Sequence, residues 1–130
     1  IHWVARVNDI EVARHALLRL GIDPGPVITA SRETPRGLLQ WRITVRDDGR
    51  RGFDGALPTL IQWGGMHPAH TLPSVGLALH SLSLTHPQAA ALTAALEAIG
   101  LAQVPVHPGP ARIHLGLRDG ARHLNLCTPP

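Results

Sequence analysis

The sequence contains no lysine and no tyrosine, and it has a single phenylalanine among its 130 residues. Its basic side chains are twelve arginines, nine of which fall in residues 1–51, where acidic residues are interleaved with them. No dense cationic stripe forms, and few aromatic rings are present for base stacking. The composition therefore argues against a nucleic-acid-binding protein.

Cysteine is almost absent as well. Cys127 stands alone, which excludes an internal disulfide and a thiolate-rich zinc site and is typical of a reducing compartment. We expect this thiol to be a small apolar filler in a cytoplasmic protein.

Long apolar runs are also missing. No stretch approaches the roughly 18 residues that a membrane-spanning helix needs, and no basic segment followed by an apolar one marks a signal peptide. The chain opens at Ile1 inside an apolar stretch, and Met66 is its one methionine. We therefore expect no membrane partner, and we expect the sequence to be a piece of a longer chain.

What is present favours a folded domain, because 44% of the residues are hydrophobic and 16% are charged. The first segment predicts a strand over residues 3–7, a helix that begins at Asn8-Asp9, and a stop at Gly21. Further strands are predicted over residues 27–29, 38–46 and 57–63.

The same order of elements begins again near residue 75. A strand over 77–84 precedes a helix that stops at Gly100, and three short strands follow it. Aligning Gly21 with Gly100 superimposes the two segments without a gap. Eight strands are more than the four of a ferredoxin-like sandwich. We predict an α+β fold of two tandem β-α-β-β-β modules, residues 1–65 and 75–130, joined by a linker over 66–74.

Several motifs of the first module resemble a known family. Leu39-Gln40-Trp41-Arg42 forms one strand, and Leu57-Pro58 opens another that ends in Trp63-Gly64 before His67-Pro68. This pattern is similar to the bacterial glyoxalase-like domain proteins of the vicinal oxygen chelate superfamily, which includes glyoxalase I, extradiol dioxygenases and bleomycin-resistance proteins. The resemblance implies a curved mixed sheet with helices on its convex face and a metal or ligand in its concave face, the cup. It also implies a further module upstream.

Strand alternation then assigns side chains to the cup, because neighbouring residues of a strand face opposite sides of the sheet. Apolar positions assigned to the helix side are Trp3, Leu39, Trp41, Ile43, Ile61, Trp63, Ile113, Leu115, Leu124 and Leu126. The cup then receives His2, Arg6, Gln40, Arg42, Thr44, Gln62, Arg112, His114, His123 and Asn125. Such a face offers arginine forks and amides to a small molecule that carries a carbonyl or carboxylate. We predict that Gln40, Arg42, Arg112, His114 and Asn125 bind the substrate.

The resemblance places metal ligands at His2 and Gln62, and it places His123 where a further ligand or a catalytic base would stand. His80 is assigned to the core or rim instead, because strand alternation puts it on the helix side together with Leu82 and Leu84. Glutamine and asparagine are poor, neutral ligands, and the usual carboxylate of the family is missing from these positions. The resemblance implies zinc, iron, nickel or manganese as the cofactor. If no metal binds, we expect no other cofactor.

Three functions stay open at this point. One is a metal-dependent lyase, isomerase or dioxygenase that stabilises an enediolate-like anion. The second is a non-catalytic small-molecule-binding module of the bleomycin-resistance type. The third is a structural or oligomerising domain, because exposed module edges favour pairing, and we expect a homodimer.

Overall fold

The computed structural model describes residues 1–129, which form the predicted order of elements twice. Two one-turn 3-10 helices, Gly52–Gly55 and Pro68–His70, lie in the connections. The first module contains β1 (Val4–Arg6), α1 (Ile10–Arg19), β2 (Val27–Thr34), β3 (Gly37–Thr44) and β4 (Thr59–Gly64). The second contains β5 (Leu77–His86), α2 (Ala89–Ala98), β6 (Val106–Pro108), β7 (Arg112–Asp119) and β8 (Arg122–Cys127). The predicted α+β class and tandem modules are confirmed. No helix of residues 1–129 is long and apolar enough to cross a bilayer.

Both helices end in the same way. Gly21 follows α1 with a φ of 76°, and Gly100 follows α2 with a φ of 81°. After each glycine, a backbone N–H donates to a carbonyl five residues earlier, from Ile22 to Leu17 and from Leu101 to Leu96. This is a Schellman ending, which favours glycine because it needs a left-handed residue. The predicted stop signals are therefore confirmed.

The strands form two four-stranded mixed sheets and not one continuous sheet. The first sheet has the order β1-β4-β3-β2, in which β1 runs parallel to β4. The second has the order β6-β5-β7-β8, in which β5 runs parallel to β6. Strand β5 pairs with β7 along most of its length and with β6 over Leu84–His86, whereas the three residues of β1 pair with β4. The same order of elements thus gives two different strand orders.

One apolar core joins the modules. Leu60 of the first sheet and Leu84 of the second are fully buried, as are Ile10 and Leu17 of α1 and Leu92 of α2. Each sheet turns one face toward the helices and this core, which we call its helix face. The opposite face is its open face.

A polar contact also crosses from one module to the other. His86 is buried, and its Nε2 lies 3.2 Å from Oδ2 of Asp54, while its Nδ1 accepts from the Gln88 N–H at the start of α2. Because Nδ1 accepts, the ring carries its proton on Nε2 and donates it to Asp54. Phe53 and Asp54 both adopt left-handed backbone conformations, with φ of 52° and 53°. Non-glycine residues take up such conformations only when their surroundings fix them, so this loop is held in one shape.

We predict that Gly25→Ala destabilises the fold far more than Gly21→Ala. Gly25 has a φ of 93°, and a Cβ there would clash with the backbone carbonyl of Val45, which cannot move away. Gly21 has a similar φ of 76° but nothing within 4 Å. In urea unfolding we expect a loss of about 3 kcal/mol or more for Gly25→Ala and about 1 kcal/mol for Gly21→Ala. Equal losses would contradict this account of the contact between Gly25 and β3.

Candidate functional site

The first sheet buries the opposite face from the one predicted. Strand pairing places Arg42 beside Gln62 on one face and Trp41 beside Trp63 on the other. Fully buried Leu60 shares the face of Gln62 and belongs to the core. Arg42, Gln62 and their same-face neighbour Gln40 therefore lie on the helix face, so the prediction that they face the cup is wrong.

Two polar contacts with α1 explain this choice. The side-chain oxygen of Gln62 accepts from the Ile10 N–H at 2.9 Å, and Ile10 is fully buried at the first turn of the helix. An unpartnered N–H at that position would be costly, so the glutamine acts as a cap. Arg42 Nη2 lies 2.6 Å from Oε1 of Glu11, one residue further along. Both polar side chains are thus engaged by the helix.

Apolar side chains line the open face of the first sheet instead. The rings of Trp41 and Trp63 lie 5.6 Å apart between centroids, and the His67 ring lies 5.3 Å from Trp63. Alternation assigns Leu39, Ile43 and Ile61 to the same face, so their predicted helix-side placement is also wrong. Trp3, by contrast, packs against the core as predicted, and its indole N–H donates to the Ala56 carbonyl.

The predicted faces of the second sheet agree with the structure. Ile113 is buried opposite Leu84, so its neighbours Arg112 and His114 lie on the open face. Pairing of β7 with β8 adds Asn125 and His123 to that face. Their functional roles stay predictions.

Two expectations for this sheet are wrong. His80 lies exposed at a bulge in β5, with its ring 5.6 Å from that of His123 on the open face, so its helix-side placement is wrong and, of the predicted core and rim positions, the core is excluded. The bulge shifts the alternation by one residue, which strand periodicity alone does not reveal. Cys127 is exposed and does not fill an apolar gap.

The predicted site residues do not converge on one pocket. Along β7, Arg112 and the position opposite His123 are six residues apart, a separation of roughly 20 Å. Between them His114 and Asn125 line a shallow hollow of about 210 Å³ with Ser81, Ser83 and Cys127. Gln40, Arg42 and Gln62 lie on the helix face of the other sheet. The cup predicted from the resemblance is therefore not assembled from these side chains.

A larger cavity lies between the modules, at the start of β7. Its volume is about 440 Å³, and Arg112 lines it together with Arg51 and Asp54. The Nε atom of Arg112 is buried and has no hydrogen-bond partner among the described residues. Buried guanidinium N–H groups are rarely left unpaired. The remaining walls are mostly apolar or backbone: Ile1, Gly55, Ala56, Pro110, Ala111, Ile113, Thr128 and Pro129.

A second cavity of about 270 Å³ adjoins it through Arg51, which lines both. This His2 cavity also contains Arg46, Arg50 and Thr59. Arg46 is engaged by Asp48, and its guanidinium holds the pKa of that carboxyl well below its usual range. Arg50 and Arg51 form no ion pair with any described residue. Asp23 also lines the cavity, but three arginines against this one carboxylate leave a net positive charge.

His2 itself is a neutral group in this environment. Its Nε2 lies 3.1 Å from the Thr59 hydroxyl. Burial, and then the positive charge of Arg51, lower the pKa of the imidazole from its ordinary value of 6.5. The site thus disfavours an added positive charge and favours an anion.

The residues present do not fit a divalent metal. His2 contacts Thr59 on the open face, whereas Gln62 uses its oxygen on α1 on the helix face, so the two predicted ligands point apart. Arg51 beside His2 would also repel a cation. Within residues 1–129, no three His, Cys, Asp or Glu side chains cluster in a way that would hold a metal ion.

The loop between β3 and β4 supplies the residues that sequence reasoning missed. Arg50, Arg51 and Asp54 line cavities there, although strand alternation says nothing about a loop. The sequence feature that could have indicated these residues is the adjacent pair Arg50-Arg51, which lies between Gly49 and Gly52.

We predict that Gln62→Leu lowers the free energy of unfolding by about 1 to 2 kcal/mol, because it leaves the buried Ile10 N–H without an acceptor. Gln40→Leu is the matched control, since Gln40 is exposed on the same face and its side chain forms no hydrogen bond with any of residues 1–129. Urea unfolding followed by circular dichroism measures both. A Gln62→Leu variant as stable as the wild type would show that this amide is free for another role.

We predict that Arg51→Gln raises the pKa of His2 toward 6.5, while burial and the positive charge of the N-terminal amine still lower it. Arg50→Gln, in the same cavity, is the control. Because the folded-state pKa is lowered, the unfolded chain binds this proton more readily, and stability falls as the pH drops below 6.5. Arg51→Gln should weaken that loss. Histidine ring signals in an NMR pH titration report the pKa, and an unchanged value in Arg51→Gln would contradict the electrostatic account.

Comparison with known proteins tests the resemblance directly. A family model described as the glyoxalase-like domain matches residues 1–100, from β1 to the end of α2. No curated protein and no solved structure matches the chain. Strands β6, β7 and β8 lie outside the matched range, so Arg112, His114, His123 and Asn125 are not covered by it. With more than half of its residues matched, the chain belongs to the glyoxalase-like domain family of the vicinal oxygen chelate superfamily.

Proposed function

We propose that this domain binds a small organic acid in the cavity between its two modules. One observation carries the proposal: Arg112 lines a cavity of about 440 Å³, and its buried Nε–H has no partner among residues 1–129. An arginine fork is suited to a carboxylate, which accepts two parallel hydrogen bonds from it. Arg112, a substrate-binding residue predicted from the sequence, thus keeps that role, at a different place from the predicted cup.

The size and lining of the cavity support a small ligand. Its volume lies within the roughly 300–1,000 Å³ of small-molecule sites. Ile1 and Pro110 offer apolar surface to the body of the ligand, and Thr128 offers a hydroxyl. Asp54 also lines the cavity, although one of its oxygens faces His86. This carboxylate would repel a second negative charge, which favours a monoanion with an apolar body.

Arg51 extends the preference for an anionic ligand into the His2 cavity. It lines both spaces and makes no ion pair with a described residue. A polar group of the ligand could therefore accept from Arg51 while the carboxylate rests on Arg112. The neutral imidazole of His2 is then available as a hydrogen-bond partner and not as a charge.

Of the functions left open by the sequence, this geometry favours a binding module without a metal. The donors proposed for a metal-dependent lyase, isomerase or dioxygenase point in different directions, and His123 is exposed at the far end of β7 and β8. Stoichiometric zinc, iron, nickel or manganese in protein purified with its metals retained would instead support the enzyme.

We predict that benzoate raises the melting temperature and that benzamide, its uncharged counterpart, does not. Arg112→Gln should weaken benzoate binding at least tenfold, because it removes the charge and the fork. Arg118→Gln is the control, since Arg118 lies on the same strand but is exposed and donates to the Gly120 carbonyl. Titration calorimetry gives the dissociation constants. Equal binding of benzoate and benzamide, or unchanged benzoate binding by Arg112→Gln, would contradict the proposal.

A further inference from the structure

One carboxylate holds the loop that carries the arginines of the His2 cavity. Asp48 accepts from the side chain of Arg46 through both of its oxygens, and its Oδ1 also accepts from the Arg50 N–H at 3.0 Å. Gly49 makes the turn between them with a φ of 66°, a left-handed conformation that favours glycine. The backbone of Arg50 is therefore fixed, while its guanidinium forms no ion pair with a described residue.

The acidic residues around this loop do not neutralise Arg50 and Arg51. Asp48 is taken up by its ion pair with the neighbouring arginine, and Asp54 is turned toward the second module. Asp23, the acid that lines the cavity, is exposed, and its Oδ1 accepts from a backbone N–H at 2.9 Å. Two arginines that form no ion pair with a carboxylate of residues 1–129 therefore line the same cavity.

A neutral donor is also part of this lining. Nε2 of His2 lies 3.1 Å from the Thr59 hydroxyl, and both residues line the cavity. If the hydroxyl donates, the neutral ring carries its proton on Nδ1; if Nε2 donates, the hydroxyl proton is free. In either case the pair keeps one N–H or O–H that can donate to a further acceptor.

We propose that the His2 cavity binds a phosphate group, which belongs either to free phosphate or to a phosphate monoester. A phosphate dianion neutralises both Arg50 and Arg51, whereas a carboxylate would leave one of the two charges uncompensated. Its oxygens accept from the N–H groups of two guanidiniums, and another oxygen accepts from the pair of His2 and Thr59. The cavity volume of about 270 Å³ suits so small a group.

This inference is separate from the carboxylate proposed at Arg112. Asp54 lines that other cavity, where it disfavours a second negative charge, but it does not line the His2 cavity. Arg51 lines both, so variants of the other two arginines distinguish the proposals. Arg112→Gln should leave phosphate binding unchanged, and Arg50→Gln should leave benzoate binding unchanged.

Titration calorimetry at about pH 7.5, where a phosphate monoester is mostly a dianion, tests the binding. We expect inorganic phosphate to bind the wild type, and Arg50→Gln and Arg51→Gln each to weaken it about tenfold, because each removes a charged set of donors. Arg36→Gln is the matched control, since Arg36 is an exposed arginine in the turn between β2 and β3 and lies outside the cavity. Circular dichroism verifies that each variant is folded.

Phenyl phosphate distinguishes the two sources of the phosphate group. If it binds more tightly than inorganic phosphate, the cavity takes a phosphate monoester; if it does not, the ligand is free phosphate. Acetate at the same ionic strength should bind more weakly than inorganic phosphate, because a monoanion cannot neutralise both arginines.

NMR spectra of the histidine rings locate the bound phosphate. Inorganic phosphate should shift the ring signals of His2 and not those of His67, which lies outside the cavity in the connection between the modules. The proposal would be overturned if phosphate did not bind or if acetate bound as tightly. It would equally be overturned if Arg36→Gln weakened binding as much as Arg50→Gln, or if Arg112→Gln abolished it.

Discussion

The first turn of α1 is the contact on which the arrangement of the first module depends. One face of this four-stranded sheet carries Trp41 and Trp63, and the other carries Gln62 and Arg42 beside the buried Leu60. The helix packs on the face of Gln62 and Arg42. The cap on the buried Ile10 N–H satisfies a group that would otherwise be costly to bury, and the partly exposed ion pair with Glu11 adds a second contact. Leu60 and Leu17 then complete the core on the same side.

Because α1 packs on this face and engages Arg42, the arginines that line the His2 cavity without an ion pair lie in the loop between β3 and β4. With Arg42 engaged by α1 and Arg46 by Asp48, the arginines that line the His2 cavity or the cavity between the modules and form no ion pair with a described residue are Arg50, Arg51 and Arg112. The left-handed residues Phe53 and Asp54, and the contact of Asp54 with His86, hold the loop against the second module. The candidate site is therefore a property of the interface between the modules, and neither module forms it alone.

Much of the fold follows from local patterns in the sequence. Asp9 caps α1 with its side chain, and Gly21 and Gly100 end the helices, because these positions depend on residues that are close in the chain. Strand alternation also gives the correct faces for Ile113 and Asn125 of the second module, where the apolar positions do face the core. It fails for Trp41 and Trp63, because alternation shows which residues share a face but not which face is buried. The bulge at His80 and the strand order of the second sheet depend on pairings that alternation does not encode.

The sequence by itself determined the element order, the two-module division and the glyoxalase-like character of the first hundred residues, because each of these is written in local spacing and motif. Only the tertiary structure decided which face of the first sheet packs against α1, and thus that the predicted cup residues separate. It also decided that Arg51 and Arg112, 61 residues apart in the chain, line one cavity. Contacts between distant residues are selected by the total free energy of packing, to which a buried hydrogen bond such as the cap on Ile10 contributes alongside the local apolar pattern.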